Sequence, residues 1–281
     1  MAKAVVFGYH DVGVRCLRVL LDADVELPLV VTHRDDPRER IWFASVAEFA
    51  REKGITALLD PPDDEIRRRL ARLQPDFIFS FYYRRMLPPE LLAIAKRGAF
   101  NLHGSLLPKY RGRAPVNWAI LHGETETGAT LHEMTAKPDA GRIVDQEAVT
   151  IGPDETAVEV FRKVTDAAET VMRRALPPLV SGTARLKAND LSKGSYFGGR
   201  KPEDGRIDWS KSAREIHNLV RAVAPPYPGA FTDGMKIYRT RLEDRSAPHG
   251  ILGPYQEGGE WFALCGDGKV LRLLEVEPSS S

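Results

Sequence analysis

Phe77-Ile-Phe-Ser-Phe-Tyr-Tyr83 is apolar or aromatic at every position but Ser80. A strand with one wet face alternates apolar and polar residues, whereas a run apolar on both faces reads as a central strand of a covered parallel sheet. Upstream, Ala4-Val-Val-Phe7 reads as a strand and Val12 to Leu21 as an amphipathic helix with Val14, Leu17, Leu20 and Leu21 on its apolar face. Leu27-Pro-Leu-Val-Val-Thr32 and Ile55 to Leu59 are two more strands, each followed by a helical pattern, Phe43 to Glu52 between them and Asp64 to Leu73 after the second. Pro88 to Gly98 has prolines at a helix start and glycine at its end. A fifth strand then carries Asn101 and His103. Such alternation predicts an α/β doubly wound sheet with its site at the carboxyl ends of the strands.

Further along, a helix is expected to start near Arg113. Gly128 to Thr135 and Arg142 to Thr150 read as strands bracketing Lys137-Pro-Asp-Ala-Gly141. A long helix is expected from Asp154, its N-cap, to Val180, with Val160, Phe161, Val164, Val171 and Met172 as its apolar stripe. Lys193 to Gly205 is rich in Gly, Lys and Pro and reads as an ordered linker. Asp208 to Val223 is a further helical pattern, and from Gly229 short strands alternate with glycine turns, as in a small β-barrel-like module. The final Pro-Ser-Ser-Ser281 reads as a frayed end.

Across 281 residues, 43% hydrophobic and 28% charged content is that of a globular protein with a large core. A net charge of +1 sets up no global field for a polyanion and disfavours nucleic acid as the main partner. Cys16 and Cys265 are far apart in apolar contexts and read as buried reduced thiols, which fits a cytoplasmic protein. Met1-Ala-Lys-Ala4 does not resemble a signal peptide, and no apolar run approaches the roughly 20 residues of a membrane span.

Asn101-Leu-His103 carries the chemistry. Two positions apart on a strand means one face, so the carboxamide and the imidazole can aim at one reacting atom. An amide donor beside a titratable ring suits acyl transfer, which needs an oxyanion stabiliser and a proton carrier. Asp139, on a later turn, could favour the imidazolium. A satisfied polar pair at a strand end would read identically.

Other chemistries lack their signatures. Phe7-Gly-Tyr-His-Asp-Val-Gly13 sits where a dinucleotide fingerprint would, but it is not Gly-x-Gly-x-x-Gly, and no Walker sequence is present. His103, His122 and His132 are scattered, with no metal-ligand spacing, so no metal is expected. Ser105 lacks the Gly-x-Ser-x-Gly elbow of a serine hydrolase and reads as a loop or cap residue.

The run Phe100-Asn-Leu-His-Gly-Ser-Leu-Leu-Pro-Lys-Tyr-Arg-Gly-Arg-Ala-Pro-Val-Asn-Trp118 resembles the formyltransferases that use 10-formyltetrahydrofolate. Gly123 to Gly128, Asp139-Ala-Gly141, Tyr9-His-Asp11, Ser80 to Arg84 and Ala224 to Phe231 match the same family in the same order, over roughly residues 3–245. Within it, the Tyr-His-Asp loop and the Arg-Ala-Pro-x-Asn-Trp run are most similar to the UDP-4-amino-4-deoxy-L-arabinose formyltransferase domain of a bifunctional polymyxin-resistance protein of lipid A modification. The resemblance implies a Rossmann-like folate-binding catalytic domain over 1–186, a linker over 187–206 and an OB-like open β-barrel over 207–281. It implies Asn101 as transition-state stabiliser, His103 as proton carrier and Asp139 as the group that raises the His103 pKa. Met86, Leu87, Arg113 and the run Thr135, Ala136, Lys137, Pro138 and Asp139 would line the folate pocket. The implied cosubstrate is 10-formyltetrahydrofolate and the acceptor a UDP-amino-sugar. A UDP-glucuronate decarboxylase, fused or separate, is the implied partner.

Residues 182–250 hold thirteen Lys/Arg and eight Asp/Glu, an excess that suits a diphosphate, a tRNA backbone or merely a solvated face. Composition does not choose among acceptors. Another amino-sugar nucleotide or methionyl-tRNA is the same-class alternative. A non-catalytic folate- or nucleotide-sugar-binding module and a hydrolase releasing formate are the alternatives from other classes.

Overall fold

The computed structural model describes residues 1–37, 39–248 and 250–278; of the frayed end expected over 278–281, residues 279–281 lie outside the described residues. The chain opens with β1 (Lys3–Gly8), α1 (His10–Asp22), β2 (Glu26–Thr32), α2 (Val46–Glu52), β3 (Ala57–Leu59) and α3 (Asp63–Leu73). There follow β4 (Phe77–Phe81), α4 (Pro89–Leu92), β5 (Gly98–His103), β6 (Arg111–Gly112), α5 (Pro115–Leu121), β7 (Glu126–Glu133), β8 (Ile143–Thr150) and α6 (Ala157–Ser181). The remainder holds β9 (Tyr196–Phe197), α7 (Ala213–Val223), β10 (Ala230–Thr232), β11 (Met235–Glu243), β12 (Gly253–Glu257), β13 (Glu260–Leu264) and β14 (Val270–Pro278).

A seven-stranded sheet runs in the order β3-β2-β1-β4-β5-β7-β8. The pairs β2–β3, β1–β2, β1–β4 and β4–β5 are parallel, and β7 lies antiparallel to β5. Strand order reverses between β1 and β4, the switch point at which doubly wound sheets open a crevice. Both faces are covered, as the Phe77 run requires. Ile78 packs with Val5, Phe7, Leu29, Val31, Leu70 and Leu87 in one apolar cluster. On the other face the Phe77, Phe79 and Phe81 rings stack at 5.7 Å intervals, with Phe100 beside Phe79 at 6.0 Å. Burial of each such side chain contributes about 1.5–3 kcal/mol.

Packing divides the chain into two compact units, each drawn from separated stretches. The first takes 1–112, 128–149 and 163–196, the second 113–127, 150–162 and 197–281. The second contains an antiparallel sheet in the order β10-β11-β14-β13-β12.

Several elements are shorter than their periodicity predicts. β4 ends at Phe81 because Tyr82 turns into the left-handed region at φ +58°. The helix expected over 88–98 is one turn, 89–92; the Lys96 and Arg97 N–H groups donate instead to Pro75 and Asp76, drawing the chain into β5. α2 begins at Val46, where Ser45 caps the Glu48 N–H, and Phe43 stacks on His10 at 3.8 Å. α5 starts at Pro115 rather than near Arg113, after Ala114 at φ +51°. α6 begins at Ala157, so Asp154 is not its cap; the Thr156 N–H and hydroxyl both donate to Glu159. α7 begins at Ala213 behind a Ser212–Glu215 capping box.

Candidate active site

β5 sets the site. Its register puts Asn101 opposite Ser80 of β4 and His132 of β7, with His103 one pleat further at the carboxyl end of the strand. His103 is 6% exposed and His132 is 2% exposed, so both rings must place their nitrogens on protein partners. The Asp139 carboxylate, on the β7–β8 connection and with a side chain only 12% exposed, meets them.

Three polar atoms converge on Asp139 Oδ1: Asn101 Nδ2 at 3.4 Å, His132 Nε2 at 3.4 Å and His103 Nδ1 at 3.6 Å. The other carboxylate oxygen accepts the Gly112 N–H at 2.8 Å. Burial alone would raise the Asp139 pKa, but His103 and the Gly112 N–H act against it, and the carboxyl is held far below the usual carboxylate range.

Backbone carbonyls fix which ring nitrogens carry hydrogen. His103 Nε2 lies 2.8 Å from the Tyr110 carbonyl, which can only accept, so Nε2 is the donor and Nδ1 is the nitrogen that faces Asp139. His132 Nδ1 likewise donates to the Glu133 carbonyl at 2.7 Å. His132 Nε2 then accepts from the Asn101 amide at 3.2 Å, which orients that amide with its nitrogen inward. Its second hydrogen, pointing at Asp139 across 3.4 Å, is near the limit of a hydrogen bond and can be handed to a stronger acceptor. The arrangement offers an amide donor, an imidazole with one exchangeable nitrogen and a fixed negative charge within one pocket of side chains.

The structure brings Asn101, His103 and Asp139 together and adds His132, which sequence reasoning set aside as one of several scattered histidines. The signal that could have found it is register: an antiparallel partner of β5 must place some residue opposite Asn101. Ser105, weighed as a nucleophile, is buried with its hydroxyl donating to the Lys109 carbonyl at 2.7 Å. Among the expected folate contacts, Leu87 is buried in the apolar cluster, while Met86 is 58% exposed. Thr135, Ala136 and Lys137 are exposed, Pro138 is half-buried, and the Thr135 hydroxyl donates to the Lys137 carbonyl. Arg113 is exposed and falls in the second unit.

The switch point between β1 and β4 carries an aromatic group. His33 stacks on Tyr83 at 4.2 Å, and the Arg84 guanidinium lies 4.7 Å over Tyr9 while forming a bidentate pair with Glu39. His10 is buried against Phe43 and Trp42, and burial together with Arg84 lowers its pKa to about 3, so the ring stays neutral. Among the described residues, no group of three His, Cys, Asp or Glu side chains could hold a metal ion, and no helix is long and apolar enough to cross a membrane.

The Formyl transferase family model matches residues 5–176, and the model of the Formyl transferase C-terminal domain matches residues 200–281. An N-formyltransferase from Helicobacter canadensis, solved with folinic acid and dTDP-3-aminofucose, is 22% identical over 97% of this chain and 99% of its own, with a TM-score of 0.78. The sugar 3N-formyl transferase WlaRD, solved with dTDP and 5-N-formyl-THF, is 22% identical over 97% of both chains, with a TM-score of 0.77. HypX from Aquifex aeolicus, in complex with tetrahydrofolic acid, is 18% identical over 95% of this chain but 43% of its own, with a TM-score of 0.64. At these identities the likeness establishes the fold.

Proposed function

The chain belongs to the formyl transferase family, and on that premise we propose that it moves the formyl group of 10-formyltetrahydrofolate onto the 4-amine of UDP-4-amino-4-deoxy-L-arabinose. The observation that carries the reading is the convergence of Asn101, His103 and His132 on the buried Asp139 carboxylate. In this reading the amine attacks the formyl carbon, a C–N bond forms, and the carbonyl oxygen takes up negative charge. Asn101 Nδ2 gives that oxygen its loosely held hydrogen. The bond to the folate nitrogen N10 then breaks, and a proton must travel from the attacking amine to N10. His103 Nδ1 is suited to carry it, because Nε2 is tied to the Tyr110 carbonyl. Asp139 holds the charge that balances the imidazolium.

Met86 supports a folate donor: it is a large apolar side chain left exposed beside the buried Leu87, a surface that a flat pterin ring would cover. Thr135, Ala136 and Lys137 are exposed shortly before Asp139, and Arg113 is assigned to the donor by its match to the family motif.

A cavity of about 230 Å³ within the second unit supports a nucleotide-linked acceptor. Asn117, Arg200, Tyr227 and Gly229 line it. The Arg200 guanidinium lies 4.8 Å over the Trp118 ring, and its Nε is buried with no hydrogen-bond partner among the described residues. A half-buried cation with an unspent donor suits a phosphate oxygen, and the space holds part of a nucleotide rather than a whole nucleotide sugar. The solved proteins described with dTDP or dTDP-3-aminofucose support an amino-sugar nucleotide as the acceptor class. The UDP-pentose is the member that the Tyr9-His-Asp11 and Arg113-Ala-Pro115 motifs favour, and an enzyme oxidatively decarboxylating UDP-glucuronate would lie upstream of it.

The test offers 10-formyltetrahydrofolate with UDP-4-amino-4-deoxy-L-arabinose, dTDP-amino-sugars and methionyl-tRNA in parallel, reading formylated product by mass. Formylation of the UDP-pentose alone is expected. Formylation of only a dTDP-sugar or only the tRNA overturns the acceptor, and formate release without any amine overturns transfer itself.

A further inference from the structure

We propose that Asn189 is a positioning residue that holds the Asp139 carboxylate in its reactive place, an inference that rests on the formyl-transfer reading for its effect on turnover. Asn189 stands on the segment after α6, fifty residues from Asp139 in sequence. Its Nδ2 donates one hydrogen to the Asp139 carbonyl at 3.1 Å and one to the Gly141 carbonyl at 3.2 Å. One amide thus staples both ends of the turn from which the carboxylate projects.

The turn needs holding. Asp139 has φ +48°, a left-handed conformation that non-glycine residues occupy sparsely and that relaxes unless its surroundings enforce it. On the far side the backbone is already tight: a Cβ at Gly141 would overlap the Glu133 carbonyl. Asn189 itself is fixed to the sheet, because Lys187 exchanges two backbone hydrogen bonds with Ile143, at 2.7 and 2.8 Å.

Asn189 is also present at a cost. Its Oδ1 is buried with no partner among the described residues, an arrangement native proteins rarely tolerate. Flipping the amide would set that oxygen against two carbonyl oxygens, so the orientation is dictated by the Asp139 and Gly141 carbonyls. The unsatisfied acceptor is explained if the two donors are what the position requires. Without them the turn relaxes, and the carboxylate withdraws from the Gly112 N–H of β6, from Asn101 and His103 of β5 and from His132 of β7, the groups that face it.

The experiment compares wild type, Asn189→Ala, Asp139→Asn and the double variant, with melting temperatures recorded for each. Asn189→Ala is expected to lower kcat about tenfold while KM for the amino-sugar moves less than about twofold, since a carboxylate displaced by a fraction of an ångström costs turnover before affinity. The Asp139 carboxyl, followed by ¹³C NMR, should titrate higher in Asn189→Ala than in wild type. In the Asp139→Asn background the second substitution should cost no more than about twofold, because the staple acts through the group already removed. An unchanged kcat and carboxyl titration in Asn189→Ala, or the full loss repeated in the Asp139→Asn background, overturns the proposal. If Asn189→Ala does not fold, Asn189→Asp, which keeps the volume and loses the donors, takes its place with the same outcomes. If the wild type formylates no amine, the functional reading fails, and the carboxyl titration still decides this inference.

Discussion

His103 and His217 are both buried beside a carboxylate, and the contrast between them separates a chemical site from a structural tie. In the first unit His103 spends Nε2 on the Tyr110 carbonyl and leaves Nδ1 3.6 Å from Asp139, too far for a hydrogen bond, with the carboxylate itself only 12% exposed. In the second unit His217 uses both nitrogens: Nε2 donates to the Pro153 carbonyl at 3.0 Å and Nδ1 accepts from the Thr240 hydroxyl at 2.9 Å. Its carboxylate neighbour, Asp154, is 66% exposed and so is well screened. Four residues on, Arg221 donates to the Gly152 and Glu155 carbonyls, so α7 grips the 152–155 loop through two side chains of one face. A ring with every valence spent ties elements together. A ring with one nitrogen held near a buried charge is poised to exchange a proton.

The contrast is broken most sharply by His103→Ala. It should lower turnover by about 10²-fold or more with little change in melting temperature, as expected for a positioned proton carrier. Near-normal turnover would remove His103 from the mechanism and collapse the distinction.

Asp139→Asn should come next, lowering turnover by about tenfold to 10²-fold, the scale of a misset proton carrier, and shifting the pH–rate profile. Its stability signature has a definite sign. Because the folded pKa lies below the ordinary carboxylate value, Asp139 contributes stability above pH about 4 that is lost as the pH falls through the folded pKa. Denaturant titrations between pH 7 and pH 2 should therefore show a shallower acid loss in Asp139→Asn; identical acid limbs would contradict the depressed pKa.

His217→Ala should do the opposite of His103→Ala. Leaving Thr240 and Pro153 without their partner should destabilise the fold by about 1–3 kcal/mol while turnover per folded molecule stays near wild type. A turnover loss as large as that of His103→Ala would show that the two rings are not different in kind.

The smallest effect is on the pH dependence of stability. Burial pushes the His217 pKa down, so the unfolded chain takes up a proton more readily once the pH falls below about 6.5, and the folded state loses stability from there downward. His217→Gln should flatten that part of the profile between pH 7 and pH 5, read from chemical denaturation at each pH.

Much of this was legible in the chain. The both-faced apolarity of Phe77 to Phe81 called for a covered central strand, and β4 lies between β1 and β5. The period-2 rule put Asn101 and His103 on one face without any knowledge of the sheet. Less legible were the ends of elements. Tyr82 and Ala114 leave regular structure through left-handed backbone that neither residue type announces, and Asp154, a good cap by type, lost that place to Thr156. The packing units were not legible either, since residues 113–127 and 150–162 join 197–281 across long intervals of sequence.

By itself the sequence determined which residues share a face and which chemistry those residue types allow, because periodicity and side-chain inventory are local properties of the chain. Only the tertiary structure decided that His132 would stand opposite Asn101, that Asp139 would turn inward at φ +48°, and that Asn189 would close over its backbone. Those contacts span 31, 38 and 50 residues. They arise from strand register and loop closure, which are set by the packing of the whole sheet and which no single segment encodes.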